Sequence, residues 1–463
     1  MSLRLRLVVA VVTAGAVVVG GLFMERRLGA SVPAPAPEGF ERSGAWFCPH
    51  GGGEGWRAWI TVANPGGEES EVRLTTWLGK SAQTAAEIVP PDSHRTVEVP
   101  AGQIAAATVV EFLGSPAVAG MVVTRAEAEG GGVAAEPCAE RAAKRWYVPE
   151  ASTLRGEGSQ VVVHNPFSVD AVVDVGLVAG DRTIRPGKLR GIVLAPGQVR
   201  SVELGRFALG EPALAAVVSA PLGRVAIAGL TTSPGGVRAL MGVAEPSRRW
   251  ILPGGGDGSG SLMVTAPDES PVPFHARVQT AELESALIDL EELPGGTIGM
   301  FEEEVRDAGI VVEADGQAPL LAARRLAAAV PAPEPPREPR GGGRRQKDEE
   351  PAAPEPPDLA STAGAPSSAA GWVVLPPVAP GGGGAVVLVE NPGTDPAEIR
   401  VTPLGPEGPG QAQTLLVAAR TTVRVDLPQP AAAEIRATRG TVVAAAAALD
   451  ARAYAVASGI PVD

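Results

Sequence analysis

Four times along the chain an aromatic strand opening is followed, some nineteen residues on, by an apolar run that stops at proline. Trp46-Phe47-Cys48-Pro49 leads to ITVANP, and Trp146-Tyr147-Val148-Pro149 leads to VVVHNP. Trp250-Ile251-Leu252-Pro253 leads to MVTAP, and Trp372 with Pro376 leads to VVLVENP. The distance from tryptophan to asparagine is 18 residues in the first copy and 19 in the second and fourth, ending at Asn64, Asn165 and Asn391; the third copy has Ala266 at that place. A second landmark keeps register 27 to 31 residues further on, at Pro91-Asp92, Pro196-Gly197, Pro294-Gly295 and Ala419-Arg420, each followed by alternating stretches such as VRSVEL and TTVRVDL. Each copy closes on a hairpin-like pair of apolar runs, for example Ala213 to Leu230. Repetition on this scale means one supersecondary unit built several times.

With 4% aromatic residues, 58 glycines and 45 prolines, the interior has to be assembled from Val, Ala, Leu and Ile between frequent turns, which favours short strands. The expected fold is therefore all-β: four tandem β-sandwich domains of immunoglobulin or fibronectin type, at 46–145, 146–249, 250–330 (divergent) and 372–463, behind an N-terminal segment of 1–45. Between the last two lies 331–371, rich in proline and charge with one leucine and no other large apolar residue, which predicts a disordered linker. The segment AELESALIDLEEL (281–293) carries Leu283, Leu287 and Leu290 at helical spacing, whereas repeat register sets a strand there; the register is preferred and a short helix stays open.

The repeated motif has a mechanical explanation. VVVHNP is a strand buried on one or both faces, proline ends its ladder, and asparagine bonds its own backbone two residues on. Trp46, Trp146, Trp250 and Trp372 suit a first strand at a sheet edge, with the ring plugging the end of the sandwich. A feature present in every copy is architecture; a site would occur once.

The N-terminus sets the compartment. Arg4 and Arg6 precede an uncharged run from Leu7 to Met24, long enough to nearly cross a hydrocarbon core. Its length and the proline-rich surroundings of Ala34 and Ala36 favour an uncleaved signal anchor over a cleaved signal peptide. The flanking charges keep the N-terminal stub cytoplasmic and the bulk extracytoplasmic. An exported chain permits a disulfide, and its two cysteines, Cys48 and Cys138, are expected to form one. A net charge of -13 argues against a nucleic-acid partner.

Catalytic, cofactor and metal constellations are not apparent. Gly79-Lys80-Ser81 lacks the first glycine of a phosphate loop, since Leu74 stands there, and His50, His94, His164 and His275 fall at scattered repeat positions. One uneven feature remains: Trp56, Trp59 and Trp77 lie outside the repeat landmark, all in the first copy. If the strands around GGEES form a hairpin pairing Val62 near Val72, Trp59 and Trp77 share one outward face, as a sugar-stacking platform or as packing against the next domain.

These motifs resemble the DUF5719 family, exported bacterial proteins best known from actinobacteria, whose repeats open with a W-Y-x-x-E-G-type strand, reach an N-P-G-type turn and close with a V-x-S-x-x-P-like step. Trp146, Tyr147, Glu150, Ser152, Thr153, Asn165, Pro166, Ser219 and Pro221 fit it in the second copy, and Asn64-Pro65-Gly66 and Asn391-Pro392-Gly393 fit it elsewhere. The resemblance covers the chain from residue 46 on, least well in the third copy, and implies a membrane-anchored or secreted multidomain β protein with no catalytic residues to carry over. The functional expectation is a non-catalytic envelope scaffold or interaction protein, with an envelope protein or glycan as partner; the alternative is a carbohydrate-binding accessory to envelope polysaccharide assembly.

Overall fold

A computed structural model describes residues 43–462 apart from 103–104, 127–130, 235, 255–259, 280–284, 304–307, 328–358, 428–430 and 451–452. The expected anchor at 7–24 and most of the expected linker fall outside the described residues. Among those described, no helix is long and apolar enough to cross a membrane.

The protein is all-β. Its strands pair into eight sheets, two drawn from each sequence repeat. In the first repeat Ser43–Cys48 pairs with Ala106–Leu113, which pairs with Ser70–Leu78 and then Ser81–Val89. The second sheet runs Ser93–Val99, Trp56–Asn64, Val118–Arg125, Val133–Pro137. We call the sheet holding the tryptophan strand the outer sheet and the one holding the asparagine strand the inner sheet. Alternation explains the packing between them: Ile60, Val62, Val72 and Leu74 fill the core at 3% exposure or less.

Two expectations about connectivity are corrected. Trp56–Asn64 and Ser70–Leu78 belong to different sheets, with Val62 opposite Arg95 and Ala119, and Val72 opposite Glu87 and Phe112. Likewise Leu214–Leu222 lies in the outer sheet and Ala226–Ser233 in the inner one, so the closing pair is an arch across the sandwich. Burial patterning does not name a strand's partner: Ser70–Leu78 alternates and Trp56–Asn64 is buried on both faces, and neither pattern says which sheet the strand joins. The segment 281–293 holds a strand, Ser285–Leu293, as register required.

A third correction concerns the linker. Residues Leu359–Ala363, inside the stretch expected to be disordered, pair with Leu321–Ala327 and supply the fourth strand of the third inner sheet. They stand where Val133–Pro137 and Gly236–Met241 stand in the first two repeats. Five residues without proline or charge suffice for an edge strand, and averaging composition over the whole segment hid them.

Residues 42–463 form one compact unit. The four inner-sheet strands Val133–Pro137, Gly236–Met241, Leu359–Ala363 and Ala453–Ser458 touch one another in cyclic order, the last meeting the first. Around them the back face of each inner sheet is covered by the preceding repeat. Val162 and Leu230 abut Gly51 of the first repeat. Met263 packs with Val178 and Ala215 of the second, and Val386 and Leu388 pack with Leu326 and Ala360 of the third. The back face of the first inner sheet, Trp59 and Val122, is covered by Ala448, Ala455 and Ala457 of the fourth. The repeats thus close into a ring.

Candidate functional site

The repeated motifs hold the fold together in equivalent ways. Each landmark tryptophan is at most 6% exposed, and its indole Nε1 donates to the carbonyl just before the strand that follows the arch: Ala117 for Trp46 (2.8 Å), Val225 for Trp146 (2.6 Å), Leu320 for Trp250 (2.8 Å) and Val442 for Trp372 (2.7 Å). Burying the ring requires such an acceptor, because an unpaired indole N–H costs about 1–3 kcal/mol. The residue after each tryptophan pairs with the segment leaving the same repeat, Phe47 with Ala139, Tyr147 with Val243, Ile251 with Ala365 and Val373 with Ile460. In the first repeat the disulfide Cys48–Cys138 lies beside that bridge.

Asparagine serves three carbonyls at once. Asn64 Nδ2 donates to Glu68, Val89 and Pro90, Asn165 to Val169, Leu194 and Ala195, and Asn391 to Asp395, Val417 and Ala418. Their Oδ1 atoms accept from the backbone two residues on, at Gly66, Phe167 and Gly393.

Polar side chains gather instead at the seams between repeats. Glu150, following Pro149, accepts from Arg325 and from Ser361 Oγ (2.8 Å) of the third repeat and lies 3.4 Å from Arg238. Burial pushes its carboxyl up, but Arg238, Arg325 and the Ser361 hydrogen bond outweigh this and hold it down at about 2. His50, at the same repeat position, contacts Thr108 Oγ1 at 3.0 Å, and burial lowers its pKa to about 4; His164 beyond the first seam is lowered to about 3. Glu390 sits against Gly309 of the third repeat with neither oxygen hydrogen-bonded among the described residues, and burial raises it to about 8 against the pull of Arg324 and Arg249. Glu150, His50, His164 and Glu390 are at most 2% exposed, so they fix which faces meet and cannot reach a solvent-borne substrate.

Trp59 and Trp77 do not form a shared platform. Trp59, 4% exposed, is packed against the fourth repeat with Arg57 stacked at 4.8 Å. Trp77 lies on the outer sheet against Gly197 of the second repeat. Sequence reasoning missed that the landmark turns receive the preceding repeat: Val199 N–H donates to Gly79 O (3.0 Å), Ile298 N–H to Gly180 O (2.9 Å), and His94 Nδ1 meets Leu404 O at 2.6 Å. A signal was present in His164, Thr265 and Glu390, polar residues ending apolar runs one place before the asparagine position.

A cleft of about 540 Å³ opens between the second and third repeats, with Arg145, Arg185 and Arg190 on one side and Asp268 and Glu269 on the other.

Residues 101–328 match the model of a family described as a family of unknown function, DUF5719. The match runs from within the first repeat to the strand Leu321–Ala327 and includes the divergent third copy, a narrower span than the resemblance from residue 46 on. No curated protein matches the chain.

Proposed function

We propose, for a chain whose residues 101–328 belong to the DUF5719 family, a non-catalytic scaffold of the cell envelope, tethered by the apolar run at 7–24 and exposing four closed sandwich units outside the membrane. One observation carries the reading: the last repeat docks on the first through Trp59 and His94, so the recurrent tryptophan and asparagine motifs, and seam groups such as Glu150 and His94, are taken up in building one body. Such a body offers surfaces in fixed relation, which suits assembly of partners better than turnover. The carbohydrate-accessory alternative rested on Trp59 and Trp77, and both rings are occupied by neighbouring repeats.

The test is incubation of the full chain with isolated envelope material while soluble fragments are followed over time. No release above a heat-inactivated control is expected. Release proportional to chain concentration would remove the non-catalytic reading.

A further inference from the structure

The floor of the cleft between the second and third repeats is the solvent face of the second outer sheet. Strand register sets Asp174 beside Ser219 and Ser219 beside Arg145, with Gly176 opposite Val217 in the next row. The absence of a side chain at Gly176 deepens the floor: a Cβ there would meet nothing closer than 3.8 Å. The far wall comes from the turn of the third repeat, held by Thr183 Oγ1 donating to Gly296 O at 3.1 Å.

The charges are unevenly committed. Arg145 pairs with Asp268 at 3.3 Å and lies over the Tyr147 ring. Asp174 accepts from the Gly191 N–H at 2.6 Å. The guanidinium groups of Arg185 and Arg190 have no ion-pair or hydrogen-bond partner among the described residues. Ser219 and Glu269 are likewise uncommitted. Two free planar forks call for a carboxylate or phosphate, which they bind in bidentate geometry. A bare anion, however, would face Asp174, Asp268 and Glu269 across the same space. A ligand that meets both needs carries an acid group for the arginines and hydroxyl donors for the carboxylates. The volume lies within the range of about 300–1,000 Å³ typical of small-molecule sites, well above the requirement of an inorganic ion. A net charge of -13 disfavours capture of a long polyanion by steering.

We infer that this cleft binds a short acidic oligosaccharide, its carboxylates on Arg185 and Arg190 and its hydroxyls on Asp268, Glu269 and Ser219. The inference goes beyond the scaffold reading and does not rest on it: a scaffold needs no such site, and a site here makes no demand on ring function.

Calorimetric titration of the full chain with trigalacturonate, maltotriose, triglutamate and inorganic phosphate tests it. Saturable binding of trigalacturonate is expected, at least about tenfold tighter than the neutral sugar, the acidic peptide or the ion. Arg185→Ala with Arg190→Ala should weaken it by about tenfold or more. Gly176→Val should abolish binding while leaving thermal stability unchanged or raised, because a β-branched residue suits a strand interior and the added Cβ would make only ordinary van der Waals contacts, with Ile184 O at 3.8 Å and with the Arg185 side chain and Val217 O at 4.0 Å. The inference fails if trigalacturonate does not bind the unaltered chain, if triglutamate or phosphate binds as tightly, or if stably folded Gly176→Val keeps full affinity.

Discussion

Arg420 and Asp92 are the two non-glycine residues with left-handed backbone among the described residues, at φ 57° and 49°. The equivalent turns of the other repeats use Gly197 at φ 68° and Gly296 at φ 72°. An L side chain in that region costs about 1–2 kcal/mol, of which glycine's greater freedom when unfolded returns part. Arg420→Gly is therefore expected to raise stability by about 0.5–1 kcal/mol in urea unfolding. Gly197→Ala should do the reverse by about 1–3 kcal/mol, because its Cβ would also lie 2.3 Å from the Trp77 ring. Equal stability of Gly197→Ala and the parent would mean that the first repeat does not dock on that turn. The disulfide gives a second residue-level expectation. Cys48 and Cys138 are 90 residues apart, so replacing both by serine should lower stability by up to about 4–5 kcal/mol on the loop-entropy account. At this scale much was legible in the sequence. The tryptophans and asparagines repeat because each answers an unpaired backbone group, and repetition is visible without a structure. The left-handed turn of the third repeat was read one residue early, at Pro294-Gly295, where the structure uses Gly295-Gly296.

Seams between elements respond to pH in opposite senses. His50 and His164 are lowered by burial to about 4 and about 3, below the ordinary 6.5, so the stability of the first seam is whole above pH 6.5 and is lost as pH falls through those values. Glu390 is raised by burial to about 8 from an ordinary 4.5; Arg324 and Arg249 face it only in part compensation. Its seam is intact below pH 4.5 and weakens as pH rises towards about 8, because the unfolded chain ionises first. Hydrogen exchange corrected for intrinsic rate should show weakened protection of Gly158–His164 at pH 5 and of Ala385–Asn391 at pH 8.5. Glu390→Gln should abolish the alkaline loss alone. Uniform protection of both strands across this range would show that these groups do not titrate with seam opening. The sequence did not display the seams, since a polar residue ending an apolar run reads equally well as solvent-facing. It did display the strands, and the segment 281–293 shows why register outranks local periodicity. Leucines at helical spacing are overruled when a neighbouring strand would otherwise leave its ladder unpaired, as Val272–Gln279 pairs with Ser285–Leu293 at the edge of its sheet.

Closure of the ring changes what a cut in the chain would do. The sequence alone suggested four units on a string, since no local signal tells an exposed sandwich face from one covered by another repeat. Trp59 and the alanines of the fourth repeat were each explicable on their own, and only their meeting reveals the closure. In the ring the fourth repeat is held from two sides. Leu326 and Ala360 of the third meet Val386, Leu388 and Val456, and Trp59 and Val133 of the first meet Ala448, Ala455 and Val378. The strand Leu359–Ala363 crosses the point of any cut before it, remaining covalently joined to the fourth repeat while paired with the third. Each contact is modest, but buried apolar area contributes about 25 cal/mol per Å² and two seams plus a strand pairing act together. A specific protease site introduced between residues 340 and 345 should therefore be cleaved without separating the fragments. They are expected to co-elute in gel filtration at the position of the uncut chain and to part only in denaturant. Trp59→Ala, which leaves a cavity costing about 3–5 kcal/mol at the closing seam, should shift the cut protein towards separation at lower denaturant. A C-terminal fragment that elutes alone under native conditions would sink the ring and restore the string.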